Sequence, residues 1–156
     1  MGAFEYRQAQ EIRDAFARHG VRYLFIGKSG AILLGFPDTT QDADLFVERT
    51  PENGASLVEA IRKLGFDLNA AQAAEILRGK DFVQLKNGPF DLDLVFAPDG
   101  IERFADAWAR HIDVEGFPVC HPDDIIASKA ATNRVKDRES LPRLIAFRDY
   151  SARRLR

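Results

Sequence analysis

Two pairs of aspartates set inside apolar runs are the residues best placed to do chemistry. They are Asp42 and Asp44 in Asp42-Ala43-Asp44-Leu45-Phe46-Val47, and Asp91 and Asp93 in Phe90-Asp91-Leu92-Asp93-Leu94-Val95-Phe96. In a strand, residues two apart point to the same side. Asp42 and Asp44 therefore share one face, and Asp91 and Asp93 share the face opposite Phe90, Leu92, Leu94 and Phe96. Aspartate is depleted in strands, and like charges on neighbouring strands repel. Three or four carboxylates converging on one sheet face need a compensating cation. Carboxylate oxygens without imidazole or thiolate partners suit Mg²⁺ or Mn²⁺, which are commonly shared with substrate phosphates. Such a centre neutralises triphosphate charge and activates an attacking oxygen. The plainer alternative makes Asp42 a strand-start cap and leaves Asp91 and Asp93 in solvent on an edge hairpin. Two Asp-x-Asp pairs on separate apolar strands weigh against it.

Gly27-Lys28-Ser29 invites comparison with a Walker phosphate loop, which needs a glycine separated by four residues from the Gly-Lys-Ser. The nearest upstream glycine is Gly20, and the residues between, 21–26, read as a strand. The spacing excludes a Walker ATPase. What remains is a strand ending in glycine and followed by a helix, with Lys28 and Ser29 offering a charge and a hydroxyl to an anion.

The elements that must position these groups follow from periodicity. Residues 4–19 form an amphipathic helix stopped by Gly20, and Val21–Ile26 a buried strand. A short helix over 29–35 and a polar loop at 38–41 lead to a strand over Asp42–Val47. Thr50 caps the next helix, with Pro51 at its first position and Gly65 beyond its end. Residues 68–80 are ambiguous. Phe82–Lys86 and Phe90–Phe96 flank Asn87-Gly88-Pro89 as an antiparallel hairpin. A helix around Ile101–Trp108, one or two short strands over His111–Val119, and a helix opened by Pro122 follow. The last helix is predicted to begin near Ser140, because Pro142 is best tolerated in a first turn. This order gives an α+β chain: a mixed twisted sheet with a hairpin, covered by helices. The reading is of a single domain over 1–156, with a core at about 21–110 and a helical part at about 121–156.

Composition bounds the rest. The chain has 156 residues, 46% of them hydrophobic and 29% charged, with a net charge of -2. That is ordinary globular stock, and bulk charge does not favour non-specific nucleic-acid binding. Cys120 is the only cysteine, which excludes thiolate zinc sites and disulfide-linked partners and suggests a reducing compartment. No apolar run reaches membrane-spanning length and the first residues lack a signal-peptide core, so a cytoplasmic location with no membrane partner is expected. His19, His111 and His121 are too scattered for a zinc triad. The arginines 143, 148, 153, 154 and 156 make the C-terminus basic, a solvated face or a surface for RNA.

Taken together, Ile26-Gly27-Lys28, the intervening residues 29–41, Asp42-Ala43-Asp44-Leu45 and a later strand carboxylate resemble the DNA polymerase β-like nucleotidyltransferase superfamily. The run from Phe25 through Leu33-Leu34-Gly35-Phe36-Pro37 to Thr39-Thr40-Gln41-Asp42 is most similar to small bacterial members related to abortive-infection and toxin–antitoxin nucleotidyltransferases. The similarity spans residues 21 to about 145 and is looser after Gly100. It implies that Asp42, Asp44 and Asp93, or Asp91 in place of Asp93, hold one or two Mg²⁺ or Mn²⁺ ions against a nucleoside triphosphate. Transfer of a nucleotidyl group to a hydroxyl of protein, RNA or a small molecule would release pyrophosphate. Gly27, Lys28, Ser29, Lys129, Arg134 and Lys136 become candidate nucleotide contacts, and an antitoxin a candidate partner. Lys28 departs from the family pattern, which has a second small residue there. Its side chain either obstructs the nucleotide, leaving a degenerate binding protein, or holds a phosphate. A two-metal phosphohydrolase is the remaining alternative.

Overall fold

The computed structural model describes residues 4–86, 88–132 and 135–154, the side chains of Lys136 and Arg154 excepted. Helix α1 spans Tyr6–Arg18 and buries Ala9, Ile12, Ala15 and Phe16. Its first turn is closed by a reciprocal Glu5–Gln8 capping box, which shortens the helix expected over 4–19. Strand β1 (Tyr23–Ile26) is buried throughout and runs without a loop into helix α2 (Gly27–Leu33). Strand β2 (Asp42–Val47) has the expected bounds. In helix α3 (Pro51–Lys63), the Thr50 hydroxyl accepts the Asn53 amide. The ambiguous middle is helix α4 (Ala70–Arg78), begun by an Asn69–Gln72 capping box and ended by left-handed Gly79.

Strands β3 (Phe82–Leu85) and β4 (Asp91–Val95) form the expected antiparallel pair. Helix α5 (Phe104–Arg110), strands β5 (Ile112–Val114) and β6 (Phe117–Val119) and helix α6 (Pro122–Thr132) follow. Helix α7 is where the sequence reading fails. It spans Val135–Arg154 and carries Pro142 well inside rather than in its first turn. Pro142 and Arg138, whose carbonyl loses an amide donor, are both exposed, so water can satisfy that group. Farther along α7, Leu144 joins Ala31 and Phe36 in a small apolar cluster that also takes in Ile126 and Phe147.

The six strands make one mixed sheet in the order β3-β4-β2-β1-β6-β5. β1 and β2 are antiparallel, whereas β2 and β4 are parallel neighbours although α3, α4 and β3 intervene in sequence. Ala43, Leu45 and Val47 of β2 and Leu92 and Leu94 of β4 are buried in a core shared with α1, α3 and α5. The alternate residues of both strands carry the aspartates.

Candidate active site

The register of β2 and β4 decides which carboxylates meet. Asp42 lies opposite Asp91, and Asp44 opposite Asp93. One carboxylate oxygen from each of Asp42, Asp44 and Asp93 lies within 4.8 Å of the others. Asp91 shares their face but stands outside that group, and is not among the described residues lining the adjoining cavity. The choice between Asp91 and Asp93 left by the sequence thus falls, by position, on Asp93.

The backbone beside Asp44 is built around it. Antiparallel pairing sets Ile26 opposite Asp44, so the next residue, Gly27, passes directly over the carboxylate. Gly27 has φ +64°, and a Cβ there would lie 2.5 Å from Oδ2 of Asp44. Both facts demand glycine. Ser29 is buried, donates its hydroxyl to the Ile26 carbonyl at 3.1 Å and accepts the Asp44 amide at 3.0 Å. Its hydroxyl ties α2 to β2, and Ser29 is not among the described residues lining the cavity.

The cavity beside the cluster has a volume of about 570 Å³ and is lined on one side by Lys28 and Lys129. Lys28 Nζ lies 3.6 Å from Asp38. The Asp38 carboxyl is held below the ordinary carboxylate range, first by the Thr39 amide and then by Lys28 and Arg143. Lys129 Nζ lies 3.4 Å from Asp137, with both side chains largely buried. Burial pulls the Lys129 ammonium below the ordinary lysine range, while the charges of Asp137 and Asp44 oppose that shift. Ser128 and Thr132 of α6 and Asp137 and Ser140 of α7 complete this side. The two serines and Thr132 are not singled out by the sequence. The helical spacing of 128, 129 and 132 is the signal for those of α6. Asp137, which the resemblance groups with Lys129, Arg134 and Lys136, sits one turn before Ser140 because α7 starts at Val135. Arg134 and the side chain of Lys136 lie outside the described residues.

The cluster is electrostatically strained without a cation. Burial holds the Asp44 carboxyl well above its ordinary value, and the nearby Asp93 and Asp42 charges add to the effect. Burial also raises Asp93, which receives a hydrogen bond from Gln84. The pair therefore keeps a shared proton where isolated aspartates would have lost theirs. Oδ1 of Asp93 is buried without a hydrogen-bond partner among the described residues. Three converging carboxylates fit a hard divalent ion that would replace the proton.

Arg143 and Arg148 of the basic C-terminus are engaged in ion pairs, Arg143 with Asp38 and Arg148 with Asp123 and Asp149. Cys120 is a fully buried free cysteine whose thiol is pushed up by burial, a small apolar core residue. Among the described residues no helix is long and apolar enough to cross a membrane.

No protein-family model and no curated protein matches the chain. Among solved structures it is similar to the lincomycin-bound lincosamide antibiotic adenylyltransferase LnuA, with a TM-score of 0.65 over 92% of this chain and 98% of that one, at 13% identity. At that identity the likeness is one of architecture. The chain has the α+β fold of a polymerase β-like nucleotidyltransferase.

Proposed function

We propose that this protein is a divalent-metal-dependent nucleotidyltransferase, using Mg²⁺ or Mn²⁺ to move a nucleotidyl group from a nucleoside triphosphate to an acceptor hydroxyl. The observation that carries the reading is the convergence of Asp42, Asp44 and Asp93 within 4.8 Å, beside a left-handed glycine whose Cβ position is filled by the Asp44 carboxylate. A divalent ion held by these carboxylates would supply charge to offset that of the triphosphate and of the transition state. Lys28 and Lys129, on one side of the cavity, offer charge-assisted hydrogen bonds to phosphate oxygens. Asp93, with Oδ1 unsatisfied among the described residues, is the carboxylate available to take a proton from the attacking hydroxyl. Gly27 keeps Asp44 free of a blocking side chain.

The adenylyltransferase neighbour, with its small-molecule ligand, favours a small-molecule acceptor over RNA or protein. Placement in the small bacterial branch, an antitoxin partner and a cytoplasmic location rest on the wording of residues 25–44 and on composition.

Incubation with labelled triphosphates, Mg²⁺ and candidate acceptors tests the proposal. Transfer of label to an acceptor supports it, binding without turnover makes the chain a degenerate member, and released phosphate or monophosphate makes it a hydrolase. Lys28 separates the first two. With its ammonium anchored near Asp38 and lining the cavity, it serves as a phosphate contact. Lys28→Gly should lower kcat/KM for the triphosphate about tenfold, the size of one charge-assisted hydrogen bond. A rise in activity would show that the lysine obstructs.

A further inference from the structure

The cavity has two unlike walls, and the sheet order separates them. β2, carrying Asp44, lies between β4 and β1, and β4, carrying Asp93, lies between β2 and the edge strand β3. Lys28 follows β1 directly, on one side of the aspartates. On the other side the cavity is lined by Phe82 and Val95, while Pro98 and Asp99 adjoin Gly100, which packs on Ala127 and Ala131 of α6, the helix that carries Lys129. Antiparallel pairing sets Phe82 opposite Val95 and Gln84 opposite Asp93, so these four side chains share the aspartates' face. The ring of Phe82 therefore stands two residues, about 7 Å, along the strand from the level of Asp93.

Phe82 is 46% exposed, whereas its neighbours Val83 and Leu85 are buried in the core. Outward positions on edge strands ordinarily carry charge or proline, which discourages pairing with other chains. The phenyl ring lines the cavity on the same face as Val95, is not demanded by the core, and offers an apolar contact to a ligand there. Among the described lining residues of β3 and β4 there is no lysine or arginine, and the charged one is Asp93. Lys86 acts on Asp93 from beyond the end of β3. In-line phosphoryl chemistry puts the attacking and leaving oxygens on opposite sides of phosphorus. With the leaving phosphates drawn to the lysine wall, the attacking hydroxyl arrives over β3 and β4.

We infer that Phe82, with Val95, forms the acceptor subsite, and that it selects an uncharged or cationic small molecule presenting a hydroxyl beside an apolar ring. A polyanionic acceptor such as RNA would meet the Asp93 carboxylate and no lining cation of β3 or β4 there. The inference rests on the transferase reading and names the acceptor class within it.

The test is a set of calorimetric titrations with Mg²⁺ and a non-hydrolysable ATP analogue present. The probes are phenyl β-D-glucoside, methyl β-D-glucoside (the same sugar hydroxyls without the ring) and a hexaribonucleotide. Wild type should bind the phenyl glucoside about fivefold to tenfold more tightly than the methyl glucoside, the scale of one aromatic contact. Phe82→Ala should shrink that preference below about twofold and Phe82→Trp should keep it, with melting curves confirming that both variants fold. Absence of a phenyl preference, or one that survives Phe82→Ala, overturns the inference. So does hexaribonucleotide binding that Phe82→Ala weakens, or a wild-type dimer that Phe82→Ala dissociates, since Phe82 would then serve RNA or a second copy. A separate titration with the ATP analogue alone distinguishes the failures: a wild type that does not bind it sinks the transferase reading itself.

Discussion

Asp44→Asn should abolish nucleotidyl transfer, by at least about a thousandfold, while raising the melting temperature of the metal-free protein at neutral pH by several degrees. The activity loss follows from removing one of three carboxylates that converge within 4.8 Å. Losing that charge removes several kcal/mol of transition-state stabilisation, and each 1.36 kcal/mol is about tenfold in rate. The stability gain has the opposite sign because Asp44 is raised by burial and by Asp93 and Asp42. A carboxyl raised in the folded state contributes stability that is fully present below its unfolded value and is lost as pH rises through the folded one. The wild type therefore loses stability with rising pH that the non-titrating asparagine does not. The gap between the two melting temperatures should open from mildly acidic to neutral pH and close again on acidification. Calorimetric melts of both proteins across that range, alongside transfer assays, check both signs. Retained activity, or a gap that widens in acid, would contradict the assignment.

Gly27→Ala should be nearly as damaging, by geometry rather than charge. At φ +64° an alanine costs about 1–2 kcal/mol in backbone strain. Its methyl group would also lie 2.5 Å from Oδ2 of Asp44, so the carboxylate must leave the position it holds beside Asp42 and Asp93. A displacement of about 1 Å at a reacting centre can cost roughly a hundredfold, and Gly27→Ala should lose at least that in kcat. It should also melt below the wild type, which separates it from Asp44→Asn. Gly20, also at positive φ but with nothing within 4 Å of its Cβ, is the control. Gly20→Ala should lose some stability while keeping its activity.

How legible the site was depends on the range of interaction involved. The face shared by Asp42 and Asp44, and that shared by Asp91 and Asp93, follow from a two-residue period and need no tertiary knowledge. The parallel register that brings Asp93 to Asp44 joins strands separated by two helices and a strand, and no local pattern encodes it. The need for glycine at 27 depends equally on the β1–β2 register. At Ser29 a hydroxyl near a helix start can bond backbone as readily as bind an anion, and the β1–β2 register, which no local pattern encodes, brings it to the Asp44 amide. The signals for α4, Asn69, Gln72 and Gly79, stand in the sequence at the right spacing, and the surrounding alanines hid them. At α7 a proline lies beyond the first turn because Arg138, whose carbonyl it leaves without a donor, is exposed to water.

The most direct test is diffraction from a crystal soaked with Mn²⁺ and a non-hydrolysable triphosphate, recorded at the manganese edge. The proposed function requires an anomalous peak bonded to oxygens of Asp42, Asp44 and Asp93, with phosphates reaching toward Lys28 and Lys129. Nucleotide bound with no manganese at the three carboxylates, or manganese held elsewhere with the carboxylates still paired through a proton, would contradict it.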